Sequence, residues 1–562
     1  MGTEERIWLK NYPEGVAHDI DVQGYNSLVD LLNDNLVKFK DRPAFMAIVG
    51  SSERTLTFGD IDEKSRAFGA YLQSIGLKPG DKIGLMMPNL LQYPIALYGA
   101  LRAGLVVVNT NPLYTAREIE HQFNDAGVTA VVIAENFAHE LQKCISKTKV
   151  KHVIVASIGE QFGGFKGWLI NFVIRNVKKM VPKFSLPGSV KFKDCLKKGN
   201  PANLKMDKTG LEDVICLQYT GGTTGVAKGA MLTNSNLLHN LYQVKAWIAD
   251  ADLKEGYETV LTPLPMYHIF SFVVNCLCMG NFGALNVLVL NPRDIPGLTK
   301  IVEKTSPSLI TGVNTLFNAM LNNQEFRALN FSKLKVVVGG AMAIQRAVAE
   351  EWKKVTGVTL TEGFGMTEAS PVVSVNPLAD KARIGTIGMP VPSTWVRICD
   401  ENNNPLPLGE RGEIQVKGPQ VMKGYYNKPE ATASTITAEG WLRTGDVGIM
   451  DEDGFVTIVD RIKDMILVSG FNVYPNEIED VLASHPKVLE VAAVGVPDEK
   501  SGEAVKVFIV KKDESLTKEE VAAFCAENLT GYKKPKHIEF RAELPKTNVG
   551  KILRRALRDE GK

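Results

Sequence analysis

The stretch KIGLMMPNLLQYPIALYGALRAGLVVVNTNPLYTAREIEHQFNDAGVTAVVIA (82–134) alternates short apolar runs with longer helical ones. KIGLMMP (82–88), LVVVNTN (105–111) and VTAVVIA (128–134) read as strands, and LQYPIALYGALRAG (91–104) and TAREIEHQFNDAG (115–127) as helices ending on glycine. Strands apolar on both faces belong to a parallel sheet covered by helices on both sides, so the fold class is α/β. Toward the N-terminus, LTFGDIDEKSRAFGAYLQSIG (56–76) adds a helix with Asp60 before it and Gly76 after it. Toward the C-terminus, a second α/β stretch (about 211–360) is expected to hold the strands VICLQYT (214–220), ETVLTPLP (258–265), ALNVLVL (284–290), SLITGV (308–313) and LKVVVGG (334–340). Beyond residue 385, WVRICD (395–400) and GEIQVKG (412–418) stand between glycine and proline turns and read as a small antiparallel unit. The texture changes again at VDRIKDMI (459–466), which predicts a large N-terminal domain (1–460) joined by a hinge to a small α+β C-terminal domain (461–562).

Bulk properties exclude several function classes. With 562 residues, more than one domain is expected. Sixty-five basic against 63 acidic side chains leave a net charge of +2, so no global field recruits nucleic acid. The seven cysteines are odd in number and scattered; Cys276 and Cys278 have poor zinc spacing, and buried reduced thiols are expected. No apolar signal core stands in MGTEERIWLKNYPEG and no uninterrupted spanning run follows, so a cytoplasmic protein is expected.

Four segments carry chemistry. QYTGGTTGVAKG (218–229) follows a buried strand. Glycines let a backbone approach an anion, and successive amides can form a nest; Thr220, Thr223 and Thr224 add hydroxyls and Lys228 a charge. The P-loop pattern is absent, since Ala227 precedes Lys228, and a plain turn is the competing reading. In TEGFGMTEAS (361–370), Phe364 can cover a planar base, Thr367 can donate to phosphate, and Glu368 can hold Mg²⁺ or simply be a solvated carboxylate. In WLRTGDVGIMDEDGFVTIVDRIKD (441–464), Asp446 and Arg461 are candidate ribose partners; an Asx turn at Asp446 and a charged surface turn at Arg461 and Lys463 are the alternatives. In LPKTNVGKILRRALRDE (544–560), Lys551 opens a helical pattern and either reaches an α-phosphate or faces solvent.

These segments, in this order along the whole chain, resemble the adenylate-forming enzymes: acyl- and aryl-CoA synthetases, peptide-synthesis adenylation domains and luciferases. MMPNLLQYP (86–94), VNTNPLYT (108–115), NPRDIPGL (291–298), GVNTLFNA (312–319), VSGFNVYPNEIEDV (468–481) and ELPKTNVGKILRR (543–555) look most like bacterial long-chain fatty acid–CoA ligases. The resemblance implies ATP and coenzyme A as cosubstrates, Mg²⁺ as cofactor and a long-chain fatty acid as acyl donor. It further implies that Thr220, Gly221, Gly222, Thr223, Thr224, Gly225 and Lys228 hold the β- and γ-phosphates, with Thr220 and Glu368 as the Mg²⁺ pair. Gly339, Gly340 and Ala341 would border adenine and the acyl pocket, beside Gly363, Phe364, Gly365 and Thr367; Phe364 stands where the family usually has tyrosine. Asp446 and Arg461 would contact ribose, Lys551 would serve adenylation, Lys463 would mark the hinge, Gly470 would line the coenzyme A entry, and His268 would sit near the acyl carboxylate. Large relatives often pair, so a homodimer is also implied.

Shorter-chain ligases, aryl-CoA ligases, luciferase-like oxygenases and a non-enzymatic binding protein share the nucleotide motifs and remain alternatives. Apolar candidates for an acyl tunnel lie in PMYHIFSFVVNCLCMG (265–280) and LITGVNTLFNAML (309–321). GGFKGWLINFVIRNVKKMVPKFSLP (163–187) carries Lys166, Arg175, Lys178, Lys179 and Lys183 among aromatic and apolar groups, with no acid. It reads either as a surface for an anionic membrane, placing the protein peripherally on the cytoplasmic face, or as a packed helix with a basic edge.

Overall fold

The computed structural model describes residues 5–22, 24–206, 208–220, 227–378 and 381–560. A seven-stranded sheet runs in the order Val190–Lys191, His152–Ala156, Val128–Ala134, Lys82–Met86, Val106–Asn109, Val214–Thr220, Lys228–Thr233. Its strands are parallel except the last pair. Both faces are buried, and alternate residues enter different cores. Ile83, Leu85, Val107 and Val132 pack on one side, and Met86, Val106, Val108, Val131 and Ile133 on the other.

A nine-stranded sheet is built around parallel strands Leu285–Leu288, Thr259–Thr262, Leu309–Gly312, Val336–Gly339 and Leu360–Gly365. The N-terminal hairpin Pro43–Val49/Ser52–Thr57 extends one edge, and Val372–Val375 with Met389–Pro390 the other. Two sequence expectations are corrected here. VICLQYT does not belong to the second sheet; it pairs with Val106–Asn109 in the first, through Val107↔Cys216 and Asn109↔Gln218. Sequence proximity suggested the second unit, but an apolar strand carries no mark of its partner. Asp60 does not precede its helix: Thr57 caps Phe58–Ser74, and Asp60 closes the capping box from inside the first turn.

Four antiparallel strands, Trp395–Cys399, Gly412–Lys417, Leu442–Met450 and Val456–Arg461, form the third sheet. The next strand, Ile466–Val468, belongs to a fourth sheet with Phe471–Val473, Gly502–Lys511, Val488–Asp498 and His537–Arg541. Residues 462–465 thus carry the chain from the large α/β body to a smaller β/α unit with its own core. All seven cysteines are buried free thiols. Among the described residues, no helix is long and apolar enough to cross a membrane.

Candidate active site

Four structural units converge on one cavity of about 1520 Å³. From the first sheet come Thr220 and Lys228, directly paired across the antiparallel strands that the glycine-rich loop joins. Gly221, Gly222, Thr223, Thr224 and Gly225 lie outside the described residues. From the second sheet come Gly339, Gly340 and Ala341 at one strand end, and Gly363, Phe364, Gly365, Thr367 and Glu368 at the next. Parallel pairing sets Gly339 beside Glu362, which aligns the two runs. His268 follows the strand Thr259–Thr262.

Asp446 and Arg461 come from the third sheet, where they are cross-strand partners with Nε–Oδ1 at 3.2 Å. Fifteen positions of sequence separation therefore collapse into one pair. Asp446 sits within a strand rather than an Asx turn, and burial raises its pKa against the opposing charges of Arg461 and Lys551. Lys463 lines the cavity from its lip.

Lys551 enters from the C-terminal unit. It does not open the helix, which begins at Arg554; Lys551 lies in a tight loop, with its N–H donating to Thr547 Oγ1 at 3.1 Å. Gly550 has φ +83°, and its carbonyl accepts from Thr315 Oγ1 of the large body at 2.9 Å. A Cβ at that position would meet the same oxygen at 2.8 Å, so glycine is required for both conformation and space. Burial, reinforced by Arg461, pulls the Lys551 ammonium down to about 7. Burial, and then the Lys551 charge, hold His268 down to about 4, so its ring is neutral at neutral pH. Its Nδ1 faces the Phe270 N–H at 3.5 Å, which leaves the proton on Nε2.

Of the expected site residues that are described, Gly470 alone stands outside this cavity. It occupies an exposed turn at φ +85°, next to Phe471, whose ring stacks on Tyr532 at 4.7 Å.

The sequence matches the family described as AMP-binding enzyme over residues 32–426, and its C-terminal domain over 477–551. The chain belongs to the AMP-binding enzyme family. Among curated family members it is similar to a long-chain-fatty-acid–CoA ligase of Escherichia coli O6:H1, 55% identical with 99% of each chain covered. A long-chain-fatty-acid–CoA ligase of Bacillus subtilis is 39% identical, covering 99% of this chain and 98% of its own. Among solved structures, ATP-bound MatB from Rhodopseudomonas palustris superposes with a TM-score of 0.82 at 25% identity, covering 95% of this chain and 99% of that one.

Several residues around this cavity escaped the sequence reading. Tyr425 donates its hydroxyl to Glu368 Oε1 at 2.6 Å, while Lys228 Nζ lies over its ring at 4.3 Å. Nothing in GYYNKPE (424–430) signals this contact. Arg554 pairs with Asp460, Asp464 and Glu479, fixing the Lys551 loop against the end of the third sheet. An apolar arm of the cavity is lined by Trp247, Ile248, Val274, Met279, Val336 and Val391. Both candidate segments line the cavity, 265–280 through Ile269, Phe270, Val274 and Met279 and 309–321 through Leu309, whereas Leu316, Phe317, Met320 and Leu321 of the second pack in the core. Trp247 closes a stretch of that wall, with its Nε1–H donating to Asn376 O at 3.0 Å and the Tyr12 ring edge-on at 5.2 Å.

Proposed function

We propose that the protein is an ATP-dependent long-chain fatty acid–CoA ligase working through an acyl-adenylate. The observation that carries this reading is the lining of the cavity: Lys551, Asp446, Glu368 and Lys228 share it with the apolar side chains Trp247, Ile248, Val274 and Met279. A carboxylate lacks a good leaving group. The fatty carboxylate oxygen attacks the α-phosphorus of ATP, the bond to the β-phosphate oxygen breaks, and pyrophosphate departs with that electron pair. The coenzyme A thiol, giving up its proton, then attacks the acyl carbon, and AMP leaves. Lys551 supplies positive charge where the transferring phosphoryl gathers negative charge. His268 Nε2–H orients the carboxylate, Phe364 covers the base, and Asp446 and Arg461 hold ribose.

Glu368 fits a magnesium ion. Its carboxylate is buried, its described side-chain partner is the neutral Tyr425 hydroxyl, and among the described residues no ion pair occupies its oxygens, although the Lys463 charge acts on it from a distance. Magnesium favours one or two carboxylates together with phosphate oxygens and water. Glu368 with Thr220 would hold the ion, which when bound neutralises phosphate charge.

The Lys551 pKa of about 7 sets a pH dependence. Adenylation needs the cation, so kcat/KM for ATP, which reports the free enzyme, falls as pH rises through that value. Triphosphate binding raises the pKa, placing the limb in kcat at higher pH. Pyrophosphate-exchange profiles are expected to show both limbs. Lys551→Arg, which stays charged, flattens them; an unchanged alkaline limb in that variant assigns the titration elsewhere.

Function itself is tested by product analysis with ATP, Mg²⁺, coenzyme A and acids from octanoate to oleate, with coumarate alongside. Oleoyl-CoA, AMP and pyrophosphate are expected; release with coumarate alone would reject the long-chain reading. In the same series, Trp247→Leu lengthens the apolar arm and shifts preference toward longer acids, by about fourfold in kcat/KM for each added methylene accommodated. An unshifted profile would remove Trp247 from the acyl wall.

A further inference from the structure

Residues Gly164–Phe172 form a helix, continued by a π-helical turn at Val173–Val177. Its inner face is pinned to the body. A Cβ on Gly167 would meet Gly159 O at 2.3 Å, so two backbones touch there. Asn171 Oδ1 accepts from Gly159 N at 2.8 Å, and its Nδ2 donates to Ser157 Oγ at 3.1 Å. Ile170 and Ile174 are buried on the same side. The opposite face follows the spacing of a helical stripe, and it is bare. Phe165 is 72% exposed, Trp168 57% and Phe172 44%. These three rings stack in sequence, with centroids 5.6 and 5.5 Å apart. Leu169, Val177 and Met180 are exposed with them.

Within residues 163–187 the charges have one sign. Lys166, Lys178, Lys179 and Lys183 are exposed. Arg175, counted with them from the sequence, is instead engaged: its guanidinium pairs with the buried carboxylate of Glu135, with Nη2–Oε2 at 2.6 Å. Met180 O accepts from Asn136 Nδ2 at 3.0 Å, which holds the lysine-bearing end against the body. A fixed helix that turns its aromatic groups outward inside a lysine frame is complementary to a surface with apolar depth and negative charge.

We propose that this face docks on an anionic phospholipid bilayer, with Phe165, Trp168 and Phe172 at the acyl boundary and the four lysines at the headgroup phosphates. The site is separate from the catalytic cavity, whose lining includes none of these residues. Binding therefore stands or falls independently of the proposed ligase chemistry.

The test is flotation of the full-length protein with phosphatidylcholine vesicles and with equimolar phosphatidylcholine/phosphatidylglycerol vesicles, read together with tryptophan emission. Trp168 is the exposed indole; Trp8, Trp247, Trp352 and Trp441 are buried. Wild-type protein is expected to float with the anionic vesicles, lose binding in high salt, and shift its emission to the blue. Each lysine beside an anionic surface contributes about fivefold in partitioning, so Lys166→Glu, Lys178→Glu, Lys179→Glu and Lys183→Glu together lower it by more than about 100-fold. Trp168→Gln abolishes the blue shift and weakens binding while leaving its salt dependence. Because these side chains are exposed, the thermal midpoint and the ligase rate with octanoate stay at wild-type values. Equal flotation with both vesicle types, or none with either, overturns the proposal. So does a concentration-dependent dimer in sedimentation that shields Trp168 from a soluble quencher without lipid, since the face would then belong to a second copy of the chain.

Discussion

Replacing Lys551 with alanine is expected to lower fatty acid-dependent pyrophosphate exchange by about two to three orders of magnitude, while thioester formation from supplied acyl-adenylate and coenzyme A keeps its rate. The size follows from where the ammonium stands. It lies in a desolvated cleft, beside Arg461 and Asp446, where a charge acts through a lower dielectric than water. The same desolvation makes its removal costly, because a water in its place brings no charge to the phosphoryl oxygens. The asymmetry follows from chemistry: thiol attack on the acyl carbon breaks the bond to AMP and transfers no phosphoryl group. Stopped assays of each half-reaction separate the two. Equal loss in both would assign Lys551 to holding the C-terminal unit in place rather than to stabilising transferring charge. Thr315→Ala is the control for that alternative, since it removes the hydroxyl that bonds Gly550 O and leaves the ammonium intact.

The residues that were legible in sequence share one property: their chemistry needs a local pattern. Thr220 and Lys228 flank a glycine-rich run, and the strand before it is apolar throughout, so loop and strand could be read together. Glu368 follows the glycine-spaced strand end at Gly363 and Gly365, in the short helical turn Thr367–Ala369. What could not be read depends on pairing across the chain. VICLQYT looks alike in either sheet, and only its register with Val106–Asn109 places it. Tyr425 reaches Glu368 across 57 positions, and a lone tyrosine beside another carries no periodic signal. Trp247 faces the cavity from a helix whose apolar residues also fill the core, and tunnel wall and core have the same 3.6-residue period. The capped helix start at Thr57 was missed for a smaller reason: threonine and aspartate both mark helix beginnings, and they stand three apart.

Proline at Lys463 is expected to slow thioester formation from acyl-adenylate by about ten- to hundredfold, the cost of roughly 1–3 kcal/mol of backbone strain in the second arrangement, and to affect pyrophosphate exchange much less. The reasoning begins with Gly470. It and Lys551 belong to one small unit, yet Lys551 fills the cavity while Gly470 faces solvent. If both serve the reaction, the unit must turn between half-reactions, and its ties to the large body suit that. They are mostly polar, including Thr315 Oγ1 to Gly550 O at 2.9 Å, Asn318 Nδ2 to Leu489 O at 2.9 Å, Arg346 N to Asp480 Oδ1 at 3.3 Å and Asn476 N to Asp460 Oδ2 at 2.8 Å, and the apolar cluster at the joint is small, Tyr474 against Val447 and Val459. Arg554 adds a latch to Asp460, whose carboxyl burial raises to about 6 even with that cation beside it. The connector can absorb rotation because few bonds hold its backbone: Asp464 N–H and Met465 N–H donate to Arg461 O, Ile462 N–H donates to Gly445 O at 3.0 Å, and Lys463 O accepts from Arg558 Nη1 at 3.5 Å. Among the described residues, the Lys463 N–H has no acceptor, so proline removes no hydrogen bond from the present arrangement. Its third place in the turn is a poor one for proline, which accounts for a small loss in the first step. Fixing φ at that residue instead narrows the path to the arrangement that would bring Gly470 to the cleft. Single-turnover rates for the two half-reactions decide it: equal slowing, or none, would mean that rotation occurs elsewhere or that Gly470 has no part in thiol entry.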